Sequence, residues 1–154
     1  MSNNLADGIV LDDQTSFREW ATNLLPWLNE AMHYVAEGIG GDTKEILRRQ
    51  EIYTGYAGRL VEIYSQAETY RVTALAEAMD KQIKRGVSAS LVARIAEGEI
   101  TNQTKVYNAV HRLNSTLSDQ LMAIASRLKF EKAINFGNQP VNGNRLEDMP
   151  FYQV

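Results

Sequence analysis

Apolar residues recur at helical spacing along most of the chain, and this periodicity limits the fold more than any other feature. One series follows a 4-3-4-3-4 spacing and comprises Tyr56, Leu60, Ile63, Ala67, Tyr70 and Ala74. A later series follows 4-3-4-4-3-4 and comprises Val106, Val110, Leu113, Leu117, Leu121, Ile124 and Leu128. Each spacing places its members on one face of an α-helix. Because no stretch alternates apolar and polar residues between hairpin turns, the sequence predicts an all-α fold.

The two series predict a helical bundle built on two long antiparallel helices joined by a short helical corner. N-terminal helices are expected to cover this pair, and an irregular C-terminal tail is expected to follow it. The sequence indicates a single helical domain over residues 1–134 and an extended tail over 135–154. Within the domain, helices are expected over about 16–38, 43–85, 89–97 and 101–134.

Three residues inside the predicted helices are unusual for such positions. Pro26 lacks an N–H and clashes with the preceding turn, so it predicts a kink or a division of the first segment into two short helices. Gly55 and Gly58 weaken the second helix by about 1 kcal/mol each relative to alanine. They predict a bend or a close contact with another element.

The composition excludes several classes of protein and of site. The chain has 154 residues, 44% hydrophobic and 23% charged, which is typical of one globular domain. It has no cysteine, which excludes disulfides, thiolate nucleophiles and zinc-thiolate sites. No apolar run approaches the roughly 20 residues that span a bilayer, and the N-terminal stretch does not resemble a secretory signal. We therefore expect no membrane contact and a place in the cytoplasm of a bacterial host cell.

The formal net charge of −3 is unevenly distributed. Residues 1–42 carry one basic side chain against seven acidic ones, whereas residues 43–99 carry nine against eight and residues 100–154 carry six against four. An acidic chain lacks the general attraction for phosphate that supplies most non-specific nucleic-acid affinity. Binding of nucleic acid would therefore need a local basic patch.

The sequence gives little support for metal binding or catalysis. Glu30 and His33 form one Glu-x-x-His motif, but a two-metal site in a bundle needs two such motifs, and His111 is preceded at the matching position by Asn108. The carboxylates of the long helix have basic neighbours at the spacing of surface ion pairs: Arg59 with Glu62, Arg71 with Glu68, and Lys81 with Glu77. We therefore expect no enzyme activity, no cofactor and no metal.

Tyrosines and arginines alternate along the second helix, and two interpretations of this pattern remain open. Such side chains can stack single-stranded bases and hold phosphates, and the residues concerned are Tyr53, Tyr56, Tyr64, Tyr70, Arg48, Arg49, Arg59 and Arg71. Tyrosines at helical spacing are more often core or subunit interface. The candidate nucleic-acid-binding residues are Lys81, Lys84, Arg85 and Arg94 near the corner, and Arg127, Lys129 and Lys132 near the end of the last helix. Antiparallel helices place these two clusters at opposite ends.

Self-association is expected because two long helices alone leave aromatic residues exposed. The candidate oligomer seam consists of Tyr56, Leu60, Ile63 and Tyr70. A homo-oligomer is therefore predicted, together with a protein partner, while single-stranded nucleic acid is the second candidate ligand.

The tail contains a short peptide, Glu147, Asp148, Met149, Pro150 and Phe151, that is a candidate partner-binding segment. It looks like the C-terminal partner-recruiting peptide of bacterial single-stranded DNA-binding proteins, in which acidic residues precede a terminal phenylalanine. Here three residues follow Phe151, which displaces the free carboxylate. The alternative is that the tail folds back and covers an apolar patch of its own bundle or of a neighbouring subunit.

Residues 63–132 are similar to small, uncharacterised, all-helical proteins of bacteriophages and prophages that are encoded near recombination or replication functions. The resemblance rests on segments such as Ile63 to Ala67, Gly86 to Ser90, Leu117 to Leu121 and Ser126 to Lys132. It implies a phage-like origin and no particular functional residue.

Together these features predict a non-enzymatic accessory protein of phage or mobile-element DNA recombination or replication. Such a protein would act by self-association and by binding a protein partner or single-stranded nucleic acid. The alternative is an anti-defence inhibitor or a virion structural protein that acts through the acidic surface of residues 1–42.

Overall fold

The computed structural model describes residues 16–137, which form four α-helices and no strand. The helices are α1 (Phe17–Ala36), α2 (Thr43–Lys84), α3 (Ala89–Glu99) and α4 (Thr101–Gly137). The predicted all-α class is therefore confirmed. Residues 135–137, which the sequence assigned to the tail, continue α4 as helix, and the rest of the predicted tail lies outside the described residues.

Contacts between the helices define an antiparallel arrangement around α2. Trp20 packs against Tyr70 with ring centroids 5.0 Å apart, and Tyr34 packs against Tyr53 at 5.8 Å, so α1 runs antiparallel to α2. At one end of α4 the Tyr107 hydroxyl lies 2.8 Å from that of Tyr64. At the other end Glu131 accepts a 2.6 Å bond from the Thr43 hydroxyl. Helix α4 therefore also runs antiparallel to α2, and α1 and α4 run parallel to each other.

The apolar series read from the sequence forms the core of this bundle. Leu60, Ile63 and Ala67 of α2 are buried against the other helices. From α4 come Val110, Leu113, Leu117 and Ile124, and from α1 come Trp20, Ala21, Leu24, Trp27, Leu28, Ala31 and Val35. The predicted bundle, two long antiparallel helices covered by the N-terminal segment, is confirmed.

Helix α1 begins at a side-chain cap and continues through Pro26. The Ser16 hydroxyl accepts a 3.3 Å bond from the backbone N–H of Glu19, as an N-cap serine does. The predicted division into two short helices is wrong, because α1 is one continuous element with Pro26 inside it. Pro26 itself is exposed, and buried Leu24 and Trp27 on either side of it anchor both halves of the helix to the same core.

The two glycines within α2 do not make the contact that the sequence led us to expect. A methyl group added at Gly55 or Gly58 would meet no atom within 4 Å outside the local helix backbone, so no element approaches closely there. Gly86 ends α2, because its φ of 75° is the left-handed conformation of a helix C-terminal cap. The N–H groups of Gly86 and Val87 then donate to the carbonyls of Ile83 and Gln82 at 2.9 and 3.2 Å, which completes a Schellman cap.

The far end of α2 extends beyond α1 and packs against α3. A small second core holds this pair together, formed by Ala78, Ala96 and Ile100. Ser88 stands at the N-cap position of α3, but its side chain makes no capping bond. The predicted corner is thus a short helix that leads into α4 with one residue, Ile100, between them.

Candidate protein-binding groove between α1 and α4

An open groove lies between the first half of α1 and the first two turns of α4. Its cavity volume is about 610 Å³, and we call it the α1–α4 groove. The lining residues come from both helices: Phe17, Arg18, Ala21, Thr22, Leu25, Asn102, Lys105, Val106 and Ala109. Along α1, Phe17, Ala21 and Leu25 are four residues apart, as are Arg18 and Thr22, so all five lie on one side of the helix.

The groove exists because small side chains lie where two helices of the bundle would otherwise interlock. The large residues Trp20, Leu24 and Leu28 turn toward α2 and the core. The neighbouring face of α1 carries Ala21, only 7% exposed, at the base of the groove, opposite half-buried Ala109 of α4. Phe17 and Val106 are half-buried beside them, and Leu25 stands at the edge with 42% of its surface exposed. The groove therefore offers an apolar base to a ligand.

Positive charge surrounds this base. Arg18 on α1 and Lys105 on α4 are both exposed, and none of the groove's lining residues within 16–137 is acidic. Among residues 16–137, no ion pair joins either cation to an acidic side chain. An apolar base with two exposed cations is complementary to an acidic, amphipathic segment of protein.

A second, smaller cavity lies farther along the same two helices. Its volume is about 180 Å³, and it is lined by Met32, Val35, Ala36, Arg112, Leu113 and Thr116. Arg112 adds another exposed cation to this side of the bundle. The open surface between α1 and α4 thus has the same chemistry at both places, apolar with basic residues at its edge.

The tyrosines and arginines of α2 contact other side chains of the same chain. The guanidinium carbons of Arg49, Arg59 and Arg71 lie 5.1, 4.8 and 5.1 Å from the centroids of the Tyr34, Trp27 and Tyr107 rings. Tyr53 is fully buried, and Tyr56 packs edge-on against Trp27. The structure therefore uses these rings for packing, in agreement with the second interpretation of the sequence.

Tyr64 and Tyr107 form a paired site on the surface between α2 and α4. Their hydroxyls are 2.8 Å apart, and the ring of His111 lies about 6 Å from each of theirs. The hydrogen bond with Tyr107 and partial burial raise the pKa of Tyr64 above its ordinary value. The two rings lie 5.4 Å apart and, with their shared hydrogen bond, pack α2 against α4.

The basic cluster at the corner is partly neutralised. The Lys81 ammonium lies 2.8 Å from a carboxylate oxygen of Glu99, and Lys84 pairs with Asp80. Arg85 and Arg94 are exposed. The four cations lie at the end of the bundle where α2 meets α3, and none of them lines the α1–α4 groove.

The second basic cluster lies at the opposite end, as antiparallel helices require. Arg127 donates to the carbonyl of Gly41 at 2.9 Å and to that of Ile39 at 3.5 Å, and so holds the turn between α1 and α2. Lys129 and Lys132 are exposed on α4. The structure thus does not bring the seven candidate nucleic-acid-binding residues together.

Two further predicted sites have different outcomes. The candidate oligomer seam, Tyr56, Leu60, Ile63 and Tyr70, packs in the intrachain core or against α1, so it offers little surface to a second copy. The candidate partner-binding peptide, Glu147, Asp148, Met149, Pro150 and Phe151, lies outside the described residues.

No metal-binding cluster occurs in residues 16–137, where no three histidine or acidic side chains converge. Glu30 and His33 are exposed on α1. No helix in the same residues is long and apolar enough to cross a membrane.

The groove was missed by sequence reasoning because helix periodicity locates the buried face and not the gaps between helices. A signal was present: Ala21, Thr22 and Ala109 are small residues beside the apolar series. Small size alone does not show which helix will face them.

Comparison with known proteins adds no further assignment. No family model, curated protein or solved structure matches the chain.

Proposed function

We propose that this protein is a non-enzymatic accessory protein that binds a protein partner through the α1–α4 groove. The observation that carries the proposal is the groove itself, with its apolar base and its exposed cations Arg18 and Lys105. A cavity of this size accommodates several side chains of an amphipathic segment. The complementary partner segment is apolar on one side and acidic at its edges.

A protein partner is favoured over single-stranded nucleic acid by the placement of the basic residues. A strand needs a continuous basic path with free aromatic faces. Here three arginines stack on rings of their own chain, and Lys81 and Lys84 are paired with acids. The other candidate residues are divided between the two ends of the bundle, with Arg85 and Arg94 at one end and Arg127, Lys129 and Lys132 at the other.

Site-specific photo-crosslinking tests the partner proposal. A photoreactive phenylalanine analogue replaces Leu25 at the groove or, as the matched control, Val61, which is exposed on α2. In cells that express the chain, we expect a discrete protein adduct from position 25 and none from position 61. Arg18→Glu combined with Lys105→Glu should abolish that adduct, and an adduct that is independent of these charges contradicts the proposal.

Fluorescence anisotropy with a labelled single-stranded oligonucleotide tests the nucleic-acid branch directly. We expect no binding at about 50 mM salt, where phosphate contacts are strongest. Salt-sensitive binding that Arg85→Ala and Arg94→Ala remove would favour nucleic acid instead.

Self-association is a second candidate activity, supported by exposed apolar residues on the last part of α4. Met122 is 63% exposed, Phe130 66% and Ile134 43%. Exposed apolar side chains grouped on one segment are typical of interaction surfaces. We expect light scattering to give a mass above that of a monomer at micromolar concentration, and Phe130→Ser to reduce it. A monomer mass for the unaltered chain contradicts this part of the proposal.

The biological setting is proposed from the sequence resemblance alone, which points to DNA recombination or replication in a phage or mobile element. The alternative is an anti-defence inhibitor or virion component that uses the acidic face of the N-terminal region. Glu19 and Glu30 are exposed on α1 and supply part of that face. The identity of the crosslinked protein separates the two settings, since a recombination or replication protein supports the first and a defence complex or capsid protein the second.

A further inference from the structure

The two cavities between α1 and α4 lie on one surface, because their lining residues continue a single spacing along each helix. On α1 the spacing is 4-3-4-3-4, and the residues are Arg18, Thr22, Leu25, Asn29, Met32 and Ala36. On α4 the spacing is 3-4-3-4, and the residues are Asn102, Lys105, Ala109, Arg112 and Thr116. All of them except Asn29 line one cavity or the other. Each helix therefore presents a continuous stripe, about 27 Å long on α1 and about 21 Å on α4.

Stripes with this spacing are the contact lines along which helices pack. Alternating steps of three and four residues keep side chains facing a neighbouring helix that runs nearly parallel or antiparallel. Two such stripes side by side form a groove into which one further helix fits. Among residues 16–137 no helix lies in it, because α2 packs against the core-facing sides of α1 and α4 and α3 packs against the end of α2.

The directions of the helices indicate how a further helix would run. Helices α1 and α4 are both antiparallel to α2 and therefore parallel to each other. In an up-down-up-down four-helix bundle each helix is antiparallel to its two neighbours, so helices at opposite corners are parallel. Helices α1, α2 and α4 thus have the directions of three corners of such a bundle. A helix antiparallel to α1 and α4 fits the fourth corner.

The charges along the stripes indicate which flank of the added helix is acidic. Lys105 and Arg112 are both exposed on α4, and no ion pair among residues 16–137 includes either of them. On α1, Arg18 begins the stripe, while the exposed Glu30 stands beside Asn29. The cations are thus concentrated on the α4 side, which is complementary to a helix whose acidic flank faces α4.

We infer that the partner segment is one α-helix of about 14–18 residues that spans both cavities, antiparallel to α1 and α4, and completes a four-helix bundle. Its apolar stripe lies over Leu25, Met32 and Ala109, and its acidic flank lies beside Lys105 and Arg112. The inference rests on the proposed function, since it specifies the partner segment that binds the same groove.

Fluorescence anisotropy with a defined peptide tests the inference on the full-length chain. The probe is a labelled peptide of about 18 residues with leucine at 4-3-4-3 spacing and glutamate on one flank. The control peptide has the same composition in an order without that spacing. We expect the probe to bind at least about tenfold more tightly than the control peptide, because only the probe presents one apolar face when helical.

Variants of the chain test whether the helix reaches the second cavity. Arg112→Glu, in the lining of that cavity, should weaken probe binding at least about tenfold, because it places a carboxylate beside the acidic flank. Lys44→Glu is the matched control, since Lys44 is an exposed cation on α2 that lines neither cavity. It should change the affinity by less than about twofold.

Disulfide trapping tests the direction of the bound helix, because the chain has no cysteine of its own. Ala36→Cys and Asn102→Cys stand at opposite ends of the surface. An antiparallel helix has its first residue near position 36 and its last near position 102. A probe with an N-terminal cysteine should therefore react at least about tenfold faster with Ala36→Cys than with Asn102→Cys, and a probe with a C-terminal cysteine should show the reverse preference.

Four outcomes would overturn the inference. The first is equal binding of the probe and the control peptide, and the second is an unchanged affinity in Arg112→Glu. The third is the opposite preference of the two cysteine probes. The fourth is a disulfide between the Ala36→Cys and Asn102→Cys chains when they are mixed without peptide, since a second copy would then occupy the groove.

These outcomes differ from failure of the proposed function. A photo-crosslinked adduct at position 25, together with an unchanged affinity in Arg112→Glu, retains a partner at the α1–α4 groove and excludes a helix that spans both cavities. If position 25 gives no adduct in cells, the proposed function fails, whatever the affinity of the purified chain for the probe.

Discussion

The bundle has two regions whose interiors differ in the size of the buried side chains. The body consists of α1 with the parts of α2 and α4 that face it, and its core contains fully buried Trp20, Tyr53 and Leu117. The extension consists of the last part of α2 with α3, and its core is Ala78, Ala96 and Ile100. Because stabilisation scales roughly with the apolar area removed from water, most of the stabilising burial lies in the body.

In the extension, a single carboxylate accepts hydrogen bonds from two side chains of α2. Gln82, only 3% exposed, donates a 2.6 Å bond to Glu99, and Lys81 donates to the other oxygen of the same carboxylate at 2.8 Å. These two bonds link α2 to the end of α3. The comparison teaches that the extension depends on a close fit of small side chains and on one carboxylate, whereas the body depends on aromatic packing.

The largest expected effect follows from removal of an aromatic side chain in the body. Trp20→Ala deletes a ring that is 1% exposed, packs against Phe17 and Tyr70, and donates a 3.2 Å bond from Nε1 to Gln66. We expect a loss of about 3–5 kcal/mol in the free energy of unfolding, measured by urea denaturation. Val61→Ala, at an exposed site of α2, should change it by no more than about 0.5 kcal/mol. Similar effects from the two variants would remove the basis for the comparison.

Overpacking of the small core should affect the extension alone. Ala96 is fully buried, so Ala96→Leu inserts three carbon atoms where α2 and α3 meet, at an expected cost of about 1–3 kcal/mol. Hydrogen exchange should show lost protection in α3 and unchanged protection in the body. Ala93→Leu, at an exposed position of the same helix, is the matched control and should leave both regions as they were.

The sequence predicts the body well because its large apolar residues recur at strict helical spacing. The helix containing Leu60 and Ile63 and the helix containing Leu113 and Leu117 both face the core as the periodicity requires. The sequence does not predict that one helix continues through Pro26. The missing hydrogen bond is evident from the local sequence, whereas the packing of Leu24 and Trp27 that offsets it forms only in the tertiary structure.

The candidate site could be predicted only in part, because a groove is a property of two helices together. Separation of the two basic clusters followed from antiparallel helices alone. The role of Arg127 did not, since its partners are backbone carbonyls of Ile39 and Gly41, about 88 and 86 positions away in the chain. Carbonyl groups carry no sequence signal, so such a contact is visible only in the structure.

Replacement of a glycine by alanine should change the free energy of unfolding in opposite directions in the two regions. Gly58→Ala in the body meets no atom within 4 Å and suits helical backbone, so we expect a gain of about 0.5–1 kcal/mol in the free energy of unfolding. Gly86→Ala also meets open space, but the φ of 75° there costs alanine about 1 kcal/mol. Urea midpoints should therefore rise for the first variant and fall for the second. A gain at both positions would show that the left-handed cap of α2 is not maintained in solution.

The smallest expected effect is a loss of hydrogen-exchange protection in the extension at acidic pH. The hydrogen bond from Lys81 holds the pKa of Glu99 below its ordinary value, although partial burial opposes this. A carboxyl whose pKa is lower in the folded chain adds stability above its unfolded pKa of about 4.3, and this stability is lost as the pH falls through the folded value. We therefore expect α3 to lose hydrogen-exchange protection below about pH 4, after correction for intrinsic exchange.

Glu45 provides the matched test of this pH dependence in the body. The hydrogen bond from Arg48 likewise holds the pKa of Glu45 below its ordinary value, so this carboxyl also loses its contribution to stability as the pH falls. The surrounding helices are also held by the aromatic contact of Tyr34 with Tyr53. Glu99→Gln should therefore make α3 protection low and independent of pH between about 3 and 6, whereas Glu45→Gln should leave the acid loss in α3 unchanged. If α3 and the body lose protection together as the pH falls, the two regions unfold as one cooperative unit, and their different interiors do not give them separate stabilities.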